Sequence, residues 1–397
     1  MRKIAAYLLS IILATSMAVE WPGMLKAATL SEKENNDSFG DAELITLGNT
    51  VNGRTDQSFD FDYYKFISNE DGKININFIN VEPNETAQHG IWSIFLYGPN
   101  KEEIGMTTVD LVTKETVVLP FIGAKAGNYY YMLVYPGPRF ASGHSYQIKT
   151  SFTKGKYYEK EANNTEASAG KLILAHDYVG TIGGDFLDGD SNECYDKDYY
   201  HIKAPAKGTV TINFKHKKKI GKFDYSGWRV GLYQHYNGGN RSLRENNVKL
   251  NSAGDFKLYN GTMDKGADLW LNVKSLQDSS LTSGYYSYVP SDILGEPYTI
   301  STKFVLAAKP RVKTKSKKNA ITLTAKKLSD VSGYEVEMKN GKKFKKLGTV
   351  KKATLKYTKK GLKKNKKYTF RVRAFLKADD TKYYGNWVTV TAKTKKK

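Results

Sequence analysis

Two carboxylates one residue apart and followed by two tyrosines, Asp60-Phe61-Asp62-Tyr63-Tyr64, recur as Asp196-Lys197-Asp198-Tyr199-Tyr200. Each pair is preceded by a second acidic phrase, Glu32-Lys33-Glu34-Asn35-Asn36-Asp37 and Glu159-Lys160-Glu161-Ala162-Asn163-Asn164. In extended backbone alternate side chains share a face, so Glu32, Glu34 and Asn36 converge on one point, and Asp37 reaches it across a turn. Asp60 and Asp62 have the same alternate spacing at the head of an aromatic strand. The donors are hard oxygens, and calcium takes six to eight of them. The second set, Glu159, Glu161, Asn163, Asn164, Asp196 and Asp198, replaces Asp37 with a neutral amide, which predicts weaker binding there.

Later landmarks make the repeat a duplicated domain. Thr209 to Phe214 aligns with Lys73 to Phe78, Trp228 to Leu232 with Trp92 to Leu96, and Gly266 to Val273 with Gly127 to Val134. Alternation assigns Tyr130, Met132 and Val134, with Leu269, Leu271 and Val273, to the core face. The opposite face holds Tyr131 and Trp270 as candidate ligand-binding surface aromatics. Short alternating segments separated by Gly, Asn and Pro, with no window of helical period, predict all-β sandwiches.

Taken with Val51-Asn52-Gly53 and Ala126-Gly127-Asn128-Tyr129-Tyr130, these motifs resemble the bacterial pre-peptidase C-terminal domain, a family that includes the collagen-binding domains of clostridial collagenases. The resemblance covers roughly residues 30 to 305 in two copies. It implies jelly-roll-like β-sandwiches with a Ca2+ site at the N-terminal edge, and a non-catalytic accessory role in exported proteins. The expected units are 1–28 as a signal peptide, 29–153 and 154–306 as the two sandwiches, and 307–397 as a basic domain.

Composition changes near Ala307. From Lys309 onward the chain has 30 basic and 5 acidic residues, so this surplus of 25 within a whole-chain charge of +22 leaves everything before it at −3. Leu362 to Tyr368 followed by Arg371-Val372-Arg373-Ala374 resembles a fibronectin type III domain, with Tyr368 at its tyrosine corner, Trp387 on its final strand, and Leu323 near the place of the early-strand tryptophan. Such a charge attracts anionic polymers. For an exported protein, an anionic cell-wall polymer is the expected partner of this domain; aromatic-rich nucleic-acid motifs are absent, so nucleic acid is not.

Met1-Arg2-Lys3 before the apolar run Ile4 to Ala14 reads as a secretory leader, cleaved after Ala18 or Ala27, and no integral membrane segment is expected in the mature protein. A single cysteine, Cys194, excludes an internal disulfide, a habit of proteins exported by Gram-positive bacteria. The acidic stretch Asp185 to Glu193 departs from an EF-hand loop, with Glu193 where glycine is needed. The six histidines lack metal spacing, and neither a nucleophile elbow nor a phosphate loop is present. An enzyme is therefore not expected. Two readings follow: a secreted, calcium-stabilised adhesion protein for an extracellular matrix protein or polysaccharide, or an accessory partner of a separate secreted peptidase or glycoside hydrolase.

Overall fold

Alternation governs the strands at the heart of the first two units, Asp62–Ile67, Gly72–Asn80, Lys197–Lys203 and Asp268–Ser275. In the strand Gly72–Asn80 burial switches at each residue, with Ile74, Ile76 and Phe78 turned inward and Lys73, Asn75 and Asn77 outward. The structure is a computed structural model that describes residues 28–397 apart from 57–59, 84–90, 113, 115, 137–142, 188–192, 224–225, 237–238, 253 and 277–291. The leader, the middle of the acidic insertion and most of the loop from Gln277 to Pro297 lie outside the described residues. Those residues are all β, without helices.

The first sandwich faces a sheet ordered Thr29–Ser31, Thr50–Thr55, His144–Lys154, Gly72–Asn80 and Thr116–Val118 against one ordered Glu43–Leu44, Asp62–Ile67, Tyr129–Pro136, Ile91–Tyr97 and Glu103–Asp110. The second repeats the latter order as Gly170–Lys171, Lys197–Lys203, Asp268–Ser275, Gly227–Tyr236 and Gly239–Lys249. The cores repeat too. Phe78, Trp92 and Tyr146 pack ring on ring in one, and Phe214, Trp228 and Tyr298 in the other. Tyr130, Met132, Val134, Leu269, Leu271 and Val273 are all buried, as alternation predicts.

A third sandwich sets Lys313–Ser316, Ile321–Ala325 and Leu355–Lys359 against a sheet built on Gly333–Asn340 and Lys367–Ala378. Leu323 is fully buried where a tryptophan was absent, and Tyr368 Oη accepts the amide of Lys363 at 2.8 Å. The same bond, across the same spacing of five residues, joins Tyr130 to Lys125 and Tyr178 to Ile173, so all three units use it.

Composition at Ala307 gives no hint of how closely the second and third units join. The strand Tyr298–Leu306 pairs in parallel with Thr381–Gly385, Val305 opposite Tyr384 and Leu306 opposite Gly385, so one nine-stranded sheet runs through both. Phe304 meets Tyr383 edge-on at 5.2 Å, and His176 Nε2 lies 2.7 Å from Thr381 Oγ1. Lys171 and Lys265 reach Asp379 and Asp330 at 2.8 and 2.6 Å. Exposed ion pairs contribute little, whereas a buried ring contributes several kcal/mol. Phe304→Ala is expected to cost about 3 kcal/mol in urea unfolding of the whole chain, and Asp379→Ala less than about 1 kcal/mol. The reverse ranking would show that charge, not packing, holds the junction.

Candidate metal centres

The two acidic phrases and the two Asp-x-Asp pairs meet in both sandwiches, and a single backbone bond sets the meeting. The amide of Tyr63 donates to the carbonyl of Asn36, and that of Tyr199 to the carbonyl of Asn163, each at 2.9 Å. Extended backbone beyond this bond aims Asp62 and Asp198 inward on the core face, where both are fully buried. A buried carboxylate needs a donor or a cation.

Tyrosines supply the donors. In the second copy Tyr298 Oη lies 2.5 Å from Asp198 Oδ2, 2.7 Å from Tyr200 Oη and 3.3 Å from Glu159 Oε2. In the first, Tyr146 Oη lies 2.5 Å from Asp62 Oδ2 and 2.8 Å from Tyr64 Oη, and Tyr64 Oη donates to Glu32 Oε2 at 2.5 Å. The remaining oxygen of each glutamate takes a backbone amide, Arg54 for Glu32 and Thr181 for Glu159. Tyr64 and Tyr200 were legible as members of the motif. Tyr146 and Tyr298 were not, because they arrive from the far sheet some hundred residues later.

These bonds leave other atoms without a partner. In the second copy Glu161 Oε2, Asn163 Oδ1, Asn164 Oδ1, Asp196 Oδ1 and Asp198 Oδ1 are buried and accept no hydrogen bond. Glu159, Glu161 and Asp198 bring ligand oxygens within 4.8 Å of one another. Burial pushes Glu159, Glu161 and Asp196 well above the usual carboxylate range, and neighbouring carboxylates push them further. Asp198 is raised by burial to about 7, against the lowering pull of the Tyr298 bond. Asn163 Nδ2 is buried beside them without a partner as well; three carboxylate and two amide oxygens, buried together, form a seat for a hard cation, so the donor set fits a metal ion.

The first copy is more open. Asn36 and Asp62 are buried with unpartnered side-chain atoms, and Asp60 is buried with Oδ2 accepting the amide of Asp56 at 2.5 Å. Glu34 and Asp37 point to solvent, and Asp37 Oδ1 accepts the amide of Phe61 at 3.3 Å. Burial raises Glu32 to about 7 and Asp62 to about 9. Charge count predicts the stronger site here, because Asp37 stands where Asn164 does. Among the described residues, however, the close carboxylate cluster lies in the second copy.

The second site is closed by the first sandwich, which sequence gave no sign of. Gly123 is pressed against the carbonyl of Glu159 so closely that an added Cβ would stand 1.6 Å from that oxygen. Gly105 and Gly183 meet backbone to backbone, and Lys160 Nζ donates to the carbonyl of Ala124 at 2.7 Å. Glu102 of the first sandwich adds to the negative potential at Glu161.

The proposed surface aromatics lie on the outer face of the matching sheets, but both are half-buried. Tyr131 is covered by Phe39, whose ring centroid lies 5.4 Å away and which also packs on Tyr63 and Tyr97 at 4.7 and 5.0 Å. Trp270 is stacked by His201 at 4.4 Å and met edge-on by His235 at 5.2 Å. His201 Nε2 lies 2.9 Å from Asp268 Oδ1, and His235 Nε2 lies 3.1 Å from Glu166 Oε2. Counting from the repeated motif, Glu166 holds the place of Phe39. The second platform therefore has a carboxylate where the first has an aromatic cover.

Gly123→Ala is expected to lower stability by about 3 kcal/mol, because backbone on both sides of the seam blocks the new methyl. Calorimetry showing an unchanged transition would mean the seam is not packed this way. Tyr298→Phe removes the hydroxyl shared by Asp198, Tyr200 and Glu159, and is expected to cost about 1–3 kcal/mol in urea unfolding. A cost near zero would show those carboxylates to be satisfied otherwise.

No protein-family model matches the chain, and no curated protein matches it. Solved structures that match include FN3tt, 21% identical over 22% of this chain and 91% of that one, with a TM-score of 0.19. The two-domain fibronectin type III segment of chicken tenascin is 17% identical over 48% of this chain and 95% of its own, with a TM-score of 0.23. The FN1-FN3 domains of chicken CNTN1 are 11% identical over 83% of this chain and 100% of theirs, with a TM-score of 0.29. These likenesses are too slight to bear on function, and the assignment of β-sandwiches rests on the strands themselves.

Proposed function

We propose that this chain is a secreted, non-catalytic binding or adhesion protein. Its tandem sandwiches are stabilised by Ca2+, the outer sheet face of the second holds an extracellular matrix protein or polysaccharide, and the basic third unit holds an anionic cell-wall polymer. Among the described residues no helix is long and apolar enough to cross a membrane. Calcium suits the metal seats because, among the described residues, they offer carboxylate and amide oxygens and neither sulfur nor imidazole.

The observation that carries the ligand reading is the difference between the two platforms. Trp270, with His201 and His235 against it and Tyr233 beside it on the neighbouring strand, presents an aromatic face edged by polar groups. Aromatic rings stack on the apolar faces of sugars and proline rings, while the flanking carboxylates and imidazoles bond to hydroxyls or amides. In the first copy Phe39 already fills that role. Arrays of matrix proteins and polysaccharides probed with the whole chain test this. Trp270→Ala is expected to weaken binding by tenfold or more, about 1.4 kcal/mol, and Tyr131→Ala to leave it nearly unchanged. Equal effects of the two, or none from Trp270→Ala, would place the ligand elsewhere.

A further inference from the structure

The acidic residues of the third sandwich are confined to one end and to one sheet face, whereas its lysines occur at both ends, and the sorting follows one strand. Lys367–Ala378 is 12 residues long, a span of about 36 Å at roughly 3.3 Å per residue. At its far end lie the contacts with the second sandwich, where Asp379 and Asp330 bond to Lys171 and Lys265. On the sheet face between the ends, Glu335 pairs with Arg373 and Lys346, and Glu337 with Arg371. Asp380, beside Lys377, completes the five acids of the unit. None of them is at the near end.

At that near end every charged side chain is a lysine. Three segments, 317–320, 360–366 and 394–395, are tied there around buried Thr394. Thr394 Oγ1 donates to the carbonyl of Lys363 at 2.7 Å and accepts the amide of Lys366 at 3.0 Å. The amide of Lys395 donates to the carbonyl of Lys317 at 3.0 Å, and that of Leu362 to the carbonyl of Asn319 at 3.0 Å. Lys317, Lys318, Lys360, Lys363, Lys364 and Lys366 are thus carried on fixed backbone, exposed, with no acid paired to them among the described residues. Fixed like charges at one pole concentrate the field there.

Resting on the basic-module reading above, we infer that this pole, and not the net charge of the domain, is the docking surface, and that its partner is a flexible chain bearing phosphate groups, which lysine binds as a point charge. A lysine ammonium is a point charge without the planar fork by which arginine reads bases, and Arg371 and Arg373 are occupied by Glu337, Glu335 and the ring of Trp387. The pole has no exposed large hydrophobic residue with which to enter a lipid bilayer. What remains is repeated contact between ammonium groups and anions along a chain.

The test compares two variants of the whole chain with equal net charge. One replaces Lys317, Lys363, Lys364 and Lys366 with Gln at the pole. The other replaces Lys326, Lys327, Lys351 and Lys352 with Gln at the end nearer the second sandwich. Binding is measured at fixed salt to inorganic polyphosphate and to heparin, with circular dichroism melting to confirm folding. The pole variant is expected to bind about tenfold more weakly, the other to bind like the unaltered chain. Polyphosphate held more tightly than heparin is expected, and the opposite order would overturn the phosphate assignment. Equal losses in the two variants would overturn the pole while leaving the basic-module reading intact. No binding to either polymer by the unaltered chain would overturn both. Tighter retention by anionic vesicles or duplex DNA than by either polymer would overturn the flexible-chain assignment.

Discussion

Each of the first two sandwiches is built over a buried carboxylate held by a pair of tyrosines, and much else in those units follows from that. Asp62 and Asp198 enter the core on a face that elsewhere carries Tyr64, Phe66, Tyr200 and Ile202. Removing a charge from water costs several kcal/mol unless hydrogen bonds and an opposite charge replace the lost hydration. Tyr146 and Tyr298 provide the hydrogen bonds, and to do so they must be pinned between the sheets. Phe78 and Trp92 accordingly pack against Tyr146, and Phe214, backed by Trp228, against Tyr298. Among the described residues no cationic side chain pairs with Asp62 or Asp198. The largest electrostatic neighbours of these carboxylates are other carboxylates.

The second centre is also part of the seam between the sandwiches, because Gly123 of the first unit touches the backbone of Glu159 and Glu102 bears on Glu161. An ion there would offset repulsion felt by both units. The third unit joins differently, through two residues of parallel pairing and the contact of Phe304 with Tyr383. Its acids are committed at that end and on the sheet face, which leaves the lysine pole facing away.

The parts of this arrangement that were legible in the sequence are those set by local spacing. Alternation placed Ile74, Ile76 and Phe78 inward, and the repeated acidic phrases marked the two centres. The tyrosine at 368 marked its corner five residues from the amide it accepts. What was not legible depends on partners distant in sequence. Nothing near Asp62 announces Tyr146, and nothing near Glu159 announces Gly123. Charge counting favoured the first centre because it reads residue type, whereas enclosure by a neighbouring unit decides which oxygens lose their water. Likewise Tyr131 faces outward as alternation requires, yet Phe39 covers it from a loop whose path spacing does not fix.

Scanning calorimetry of the whole chain and of Glu161→Gln, with chelator and with calcium, tests most directly whether the buried carboxylates hold a cation. A ligand that binds only the folded state stabilises it by about 2.7 kcal/mol at a hundred times its dissociation constant. The unaltered chain should melt at higher temperature as calcium rises. Glu161→Gln should melt above the unaltered chain in chelator, because one of the crowded charges is gone, and should respond less to calcium. Identical melting curves with chelator and with millimolar calcium for the unaltered chain would contradict the account.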